Sequence, residues 1–230
     1  MAGFNFLSHG SQDLYPVMLE DQLRFSRTKV TVTQIVASLG AILGGTTVGY
    51  GSQIVGRRFS IILCCLLGGA LLYPYTFVNS DAIMAAAFFQ QFCVQGAWGV
   101  VPIHLMELSP GAFRTFVVGT SYQLGNLASS ASSTIEAQLG EQFPLPVGED
   151  GKQRYEYGRV MCIFVGCVYA YLLVLTFLGP EHLGRKFGVA HDADVREVVE
   201  FETISRVVSR EDERGSALRR MEEARRVRTV

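Results

Sequence analysis

Gly3-Phe-Asn5-Phe-Leu-Ser8-His9-Gly-Ser-Gln12-Asp13-Leu-Tyr-Pro16-Val17 is apolar enough to enter a bilayer, yet it carries a histidine and an aspartate four residues apart. At a helical spacing of about 100° per residue, Asn5, Ser8, His9, Gln12, Asp13 and Pro16 fall within about 140° of one face. Phe6, Leu7, Gly10, Leu14 and Val17 cover the other side. Ionisable groups inside a membrane are costly, so they normally face a bundle interior or a water-filled cavity and mark an ion or substrate path. A titratable His9 one turn from Asp13 fits a proton site. It fits equally a polar helix that hydrogen-bonds to its neighbours, and the segment alone leaves both readings open.

The remaining sequence extends the membrane reading. Of 230 residues, 49% are hydrophobic, and the mean hydropathy of +0.25 hides a sharp division. Residues 1–180 hold nine of the twenty Lys and Arg and ten of the twenty-one Asp and Glu, while the last fifty hold eleven of each. A membrane domain over 1–180 and a charged, water-exposed tail over 181–230 account for that split. A net charge of -1 gives no case for nucleic-acid binding. The cysteines (Cys64, Cys65, Cys93, Cys162, Cys167) lie in apolar runs without metal-ligand spacing, so buried free thiols and no metal site are expected. His104 near Glu107 has no third or fourth ligand after it. No nucleophile–base pair or phosphate loop suggests an enzyme, and no cofactor is implied. The first residues lack the basic n-region of a signal peptide.

A hydrocarbon core takes about 20 mostly apolar residues per helix. Candidate spans run approximately 2–19, 30–55, 59–78, 82–106, 115–139 and 157–179, which predicts an all-α membrane protein of six transmembrane helices. Polar or turn-forming residues bound them, among them Glu20-Asp21, Gly56-Arg57-Arg58, Asn79-Ser80-Asp81 and Ser109-Pro110-Gly111. The first span is short and starts at the initiator position, so further sequence ahead of it is expected. Small residues at every fourth position let helix backbones approach closely in lipid. Ala37, Ala41, Gly45 and Gly49 do so in the second span, beside Gly40 and Gly44, and Gly125, Ser129, Ser133 and Ala137 in the fifth. Glu136 lies off the fifth span's polar strip, near one end, and reads as a structural or loop-facing acid. Charge does not orient the bundle, because Arg24, Arg27, Lys29, Lys152 and Arg154 on one side balance Arg57, Arg58, Arg114, Arg185 and Lys186 on the other. The remaining tail charges favour a cytoplasmic C-terminus.

Three stretches together resemble the major facilitator superfamily, and within it the fungal lactate/pyruvate–proton symporters, a family of plasma-membrane carboxylic acid permeases. Asn5-Phe-Leu-Ser8-His9-Gly-Ser11-Gln12-Asp13 resembles that family's seventh-helix signature, with Val17 where the signature ends in threonine. Gly49-Tyr-Gly-Ser-Gln53-Ile-Val-Gly56-Arg57-Arg58 resembles the superfamily's cytoplasmic loop motif, although an acidic and a basic residue normally occupy positions 53 and 54. Gly56 would permit a tight turn, and the arginines would engage helix C-termini, carboxylates or anionic lipid; a plain basic loop is the alternative. Gln95-Gly-Ala-Trp98-Gly-Val-Val-Pro102-Ile-His104-Leu-Met-Glu107-Leu-Ser-Pro110-Gly-Ala-Phe-Arg114 resembles the tenth helix and its exit loop. Gln91, Gln95, Trp98 and Pro102 share a stripe that could line a cavity, and Glu107 with Arg114 could form a gate latch. Tyr122-Gln123-Leu-Gly-Asn126 resembles the eleventh helix, whose amides bear on substrate handling in these permeases; inter-helix hydrogen bonding is the competing reading.

The resemblance covers residues 3–180 and matches the C-terminal half of a twelve-helix transporter. It implies symport of a small monocarboxylate with a proton, His9 and Asp13 sharing the proton and Asn5, Ser8, Gln12, Gln123 and Asn126 holding the substrate. It also implies a missing N-terminal six-helix half that supplies a cationic partner for the carboxylate, since such transporters bind substrate between two halves. Two other expectations stand beside it: a half-length assembly partner or non-transporting fragment, and a sugar or sialate transporter of the same superfamily. In the tail, Val195 to Val208 fit a short amphipathic helix. Lys186 is the candidate for a ubiquitin ligase, or else an interfacial anchor that snorkels from the last helix.

Overall fold

The computed structural model describes residues 1–109, 113–147 and 153–180, all of them within one compact unit. The tail over 181–230, with Lys186 and the expected amphipathic helix, lies outside the described residues, as do Pro110 to Ala112 and the loop around Lys152. The described chain is helical apart from a short antiparallel pairing of Pro144–Leu145 (β1) with Arg154–Tyr155 (β2). Its helices are α1 (Ala2–Gln12), α2 (Tyr15–Val17), a π-helical turn (Met18–Gln22), α3 (Arg27–Val55), α4 (Arg57–Phe77), α5 (Ala82–Leu108), α6 (Arg114–Ser129), α7 (Ser132–Gly140) and α8 (Tyr157–Leu178).

Three of these, α3, α4 and α8, are long and apolar enough to cross a membrane. The 27-residue α5 is long enough too, but Gln90, Gln91 and Gln95 interrupt its apolar run. Two expected spans are not single helices. The first breaks after Gln12, where Asp13 and Leu14 lead into the short α2 with Pro16 near its start. The fifth is interrupted at Ser130 and Ala131, between α6 and α7. The buried face nevertheless carries through: Gly125 and Ser129 of α6 and Ser132, Glu136 and Gly140 of α7 follow one another at steps of three or four residues. Buried residues downstream become Ser132, Glu136 and Gly140, not the expected Ser133 and Ala137, and Glu136 is turned inward.

Local chemistry sets the boundaries. Ser26 caps α3, its hydroxyl accepting from the Lys29 N–H at 3.3 Å. Between α3 and α4 the chain reverses at Gly56 alone, with φ of 109°, a conformation that side chains disfavour. α3 and α5 run parallel in the closest helix contact of the fold. A Cβ on Gly40 would overlap the Phe88 carbonyl, and one on Gly44 the Phe92 carbonyl. The seam therefore follows Ala37, Gly40, Gly44 and Gly49, all buried. Gly45 meets it from the side, its own carbonyl lying where a Cβ on Gly99 would go. Ala41 is only half-buried, one step off the expected register.

Two apolar clusters fill the interior. Phe4, Leu7, Ile61, Cys65, Val94 and Val165 lie among the core of one, and Tyr15, Met18, Tyr75, Ile83 and Met161 among that of the other. Tyr15 stacks on Tyr75 with ring centroids 4.1 Å apart. Outward faces carry Ile35, Leu39, Ile42, Leu66, Leu175 and Phe177, all exposed, a surface suited to lipid. Of the free cysteines, Cys64, Cys65 and Cys93 are buried as expected, but Cys167 is exposed on α8.

Candidate functional site

α1 is built as the sequence pattern predicts, with polar residues gathered on one side and apolar ones on the other. On the apolar side Leu7 is wholly buried and Phe6 meets Phe164 edge-on at 6.2 Å. On the polar side, Asn5 is buried and its Nδ2 donates to the Tyr122 carbonyl of α6 at 3.4 Å. His9 Nδ1 lies 3.2 Å from Asp13 Oδ2, and their side chains remain 40% and 38% exposed. The pair thus stands at the rim of the polar side.

Beneath it, α1 is joined to α5 by an amide–hydroxyl network. Gln12 Nε2 donates to Gln91 Oε1 at 2.9 Å and lies 3.4 Å from Ser8 Oγ. Gln91 Nε2 donates to Ser11 Oγ at 3.3 Å. Gln95 Nε2 donates to Ser8 Oγ at 3.4 Å. Tyr75 adds its hydroxyl to the Ser11 carbonyl. A small polar cleft of about 50 Å³, lined by Gln12, Gln34, Ser38 and Gln91 among others, opens beside this network. The Gln91–Gln95–Trp98 stripe therefore faces α1 and α6. Trp98 packs against Phe4 at 6.4 Å and Tyr122 at 5.8 Å.

Asn5, Ser8, Gln12, His9 and Asp13 come together on α1. Gln123 is exposed and Asn126 half-buried on α6, outside that network.

At the end of the bundle where α3 turns into α4, charge is used differently. Arg57 Nη2 lies 3.0 Å from Glu107 Oε1, with both side chains about 95% buried, and Arg57 Nη1 donates to Ser52 Oγ at 2.6 Å. Arg58 turns to α8, where its Nε donates to the Thr176 carbonyl at 2.8 Å, and it also reaches the Phe177 carbonyl. An arginine at a helix C-terminus meets both unpaired carbonyls and the negative end of the dipole. The arginine pair is thus a cross-brace and not a plain basic loop. Glu107 is held by Arg57 from α4, and Arg114 opens α6.

Glu136 is the residue that sequence reasoning misplaced. It is fully buried, not loop-facing, and neither carboxyl oxygen has a hydrogen-bond partner among the described residues. It packs at Gly10, where an added Cβ would stand 3.1 Å from Glu136 Oε1 and 2.6 Å from the Phe164 ring. Steps of three and four residues place it on the face of Gly125, Ser129 and Ser132, which packs inward. Among the described residues, no group of three His, Cys, Asp or Glu side chains could hold a metal.

Comparison with known proteins agrees with this picture. The Major Facilitator Superfamily profile matches residues 2–218. A Saccharomyces cerevisiae protein described as a carboxylic acid transporter protein homolog is 44% identical over 187 residues, covering 80% of this chain and 30% of that protein. A cis,cis-muconate transport protein of Acinetobacter baylyi is 30% identical over 138 residues, 58% of this chain and 33% of the relative. The chain thus spans about a third of the length of these relatives. In structure it resembles the xylose transporter XylE from E. coli in a partially occluded inward-open conformation. The TM-score is 0.56 at 14% identity, over 90% of this chain and 55% of that one. A double tryptophan mutant of XylE gives the same TM-score at 18% identity, over 80% of this chain and 45% of that one. Fold and family are those of transporters, not enzymes. A polar, ionisable face on α1, glycine-seamed helices beside it and an arginine-braced turn are set in a fold and sequence that match one another, and the chain belongs to the Major Facilitator Superfamily.

Proposed function

We propose that this chain is the C-terminal half of a plasma-membrane permease that carries small monocarboxylates, of the lactate and pyruvate type, together with a proton. In that reading the described helices make six membrane spans. The first and fifth are broken helices, as transporter folds tolerate where backbone lines a protein interior or cavity. The observation that carries the reading is the half-exposed His9–Asp13 pair, set at mid-bundle over the Ser8, Gln12, Gln91 and Gln95 network. An ionisable pair at that depth has no packing role that an apolar pair would not fill more cheaply.

The chemistry divides as follows. His9 and Asp13 accept and release the coupled proton. Asn5, Ser8 and Gln12 of α1, with Gln123 and Asn126 of α6, donate hydrogen bonds to the carboxylate cargo. The cationic partner that a carboxylate needs in a dry cavity comes from the other half of the permease. Two relatives named for carboxylate transport support this cargo class. In this reading Gly56, Arg57, Arg58, Glu107 and Arg114 belong to the cytoplasmic gate region, and the C-terminus lies in the cytoplasm.

The test compares, in permease-deficient yeast, this chain alone with the chain joined to six upstream spans. Labelled lactate uptake is followed at about pH 5 and about pH 7, on either side of an unperturbed imidazole value of about 6.5. Acid-stimulated uptake by the longer protein only is the expected result. Uptake by the short chain alone would replace the half-transporter reading with a dimer of halves. No lactate uptake by either would exclude this cargo.

A further inference from the structure

Two acids of the described bundle are almost completely buried, and they are provided for differently. Glu107 is held by the Arg57 guanidinium. Glu136 has no hydrogen-bond donor among the described residues, and its side chain has no exposed surface. A buried carboxylate without a donor or counter-charge is costly, whereas a neutral carboxylic acid is tolerated. Its place in the fold is not incidental. It packs at Gly10, whose lack of a side chain makes the room, three residues before Asp13.

The titratable groups that face Glu136 are few. Asp13, at the end of α1, bears on it electrostatically, and so does the Tyr75 hydroxyl of α4, which is already donated to the Ser11 carbonyl. From α8 the Phe164 ring closes the site at Gly10. His9 is joined to Asp13 at 3.2 Å. One acid of the Asp13–Glu136 pair is therefore half-exposed and partnered by an imidazole, and the other is dry, with no hydrogen-bond partner among the described residues.

We propose that Glu136 is a second proton-binding group of the transport cycle, a buried carboxylic acid that exchanges its proton with the His9–Asp13 pair. The proposal rests on the proton-coupled reading given above. Loading moves one proton from the imidazolium of His9, or from the carboxyl of Asp13, to a Glu136 oxygen, and leaves Glu136 neutral. Unloading returns that proton and leaves a carboxylate near Asp13. Two carboxylates so placed would repel each other if both were ionised. The half-exposed member loads from water. Its buried partner keeps the proton while the outer pair is empty, which separates proton entry from proton release.

The complete permease, reconstituted in liposomes, provides two independent readouts. In infrared difference spectra at neutral pH, the wild-type protein should show the C=O stretch of a protonated carboxyl that exchanges slowly with deuterium. Glu136→Gln should remove that band and Asp13→Asn should displace it. In flux measurements, E136Q should still exchange lactate for lactate but should no longer accumulate it along a proton gradient. A one-unit pH difference supports about tenfold accumulation for one-to-one symport, and in E136Q the ratio should fall to about one. Glu136→Asp should restore part of it. Survival of the band in E136Q, its absence from the wild-type protein, or wild-type accumulation by E136Q would each overturn the proposal. Should E136Q fail to assemble, the wild-type band and its displacement in D13N decide the matter. A wild-type protein that carries the E136Q-sensitive band but never accumulates lactate would leave the proton site standing and remove the cargo assignment.

Discussion

The Gly56 end of the bundle and its middle handle polarity in opposite ways. At the Gly56 end every arginine contact named above closes a gap between helices: Arg57 joins α4 to α5 through Glu107, and Arg58 joins α4 to the last turn of α8. In the middle, neutral amides and hydroxyls link α1 to α5, the His9–Asp13 pair is left half-exposed, and Glu136 has no hydrogen-bond partner among the described residues. Charges that are fully paired hold a structure in one state. Groups whose partners are solvent, each other, or absent can change protonation without dismantling the fold. The difference separates a brace from a site.

The largest expected effect comes from undoing the brace. Arg57→Ala removes the guanidinium against which the Glu107 carboxylate is buried and should cost about 3–5 kcal/mol of stability, read as a fall in denaturation midpoint in detergent. Replacing both partners by apolar residues, R57M with E107L, should recover part of that loss, because the buried pair is exchanged as a whole for apolar packing. A smaller effect is expected at the seam that ties the brace to the middle. Gly44→Ala drives a methyl into the Phe92 carbonyl and should cost about 1–3 kcal/mol. Gly51→Ala in the same helix meets nothing, so it should leave the midpoint unchanged. If both alanines behave alike, the α3–α5 contact is not the close seam described here.

In the middle, Gln91→Ala removes two links at once, from Gln12 and to Ser11. Each inter-helix hydrogen bond in a membrane contributes about 0.6–2 kcal/mol, so a modest loss of stability should accompany a larger loss of substrate affinity. E136Q should change stability least of the buried set, by less than about 1 kcal/mol, since one unpartnered group replaces another of the same shape. A loss as large as that of R57A would show that Glu136 has an unseen structural partner and would erase the contrast between brace and site.

Much of this contrast was readable in the chain itself. The His9–Asp13 spacing, the polar face of α1 and the role of Gly56 follow from helical periodicity and from backbone conformations that disfavour a side chain. Arg57 and Arg58 were recognised as candidates for a carboxylate and a helix C-terminus, but which residue each would take depends on where α5 and α8 end, and periodicity carries no such information. The α3 seam was off by one step because Ala, Gly and Gly at neighbouring positions give several stripes of equal merit; backbone carbonyls of α5 choose between them. Glu136 was lost for a different reason. A small-residue stripe taken at strict steps of four drifts to Ser133 and Ala137, whereas steps of three and four from Ser129 keep Ser132, Glu136 and Gly140 on the buried face. Gln91 and Gln95 were placed on one stripe, but their bonds to Ser8, Ser11 and Gln12 needed the relative height of α1 and α5.

The smallest expected effect lies at the opposite end from the brace, and it tests whether that end is held by charge at all. Lys29 Nζ lies 2.8 Å from Asp81 Oδ1 between α3 and the start of α5, with the Asp81 side chain 88% exposed. The hydrogen bond from Lys29, and then its positive charge, hold the Asp81 carboxyl below its ordinary value of 3.8. A carboxyl that is lowered in the folded state stabilises the fold above its unfolded value, and that contribution is lost as the pH falls through the lower, folded one. Asp81→Asn should therefore leave the midpoint almost unchanged at neutral pH, because water screens so open a pair. It should also flatten the acid limb of the stability profile below pH 3.8. A large loss at neutral pH would mean that the Lys29–Asp81 contact is a second brace, and that the bundle is clamped at both ends around its unpaired middle. Midpoints of the wild-type protein and D81N, taken across the acid range at low salt and again at high salt, distinguish the two, since only an exposed pair should fade as salt is added.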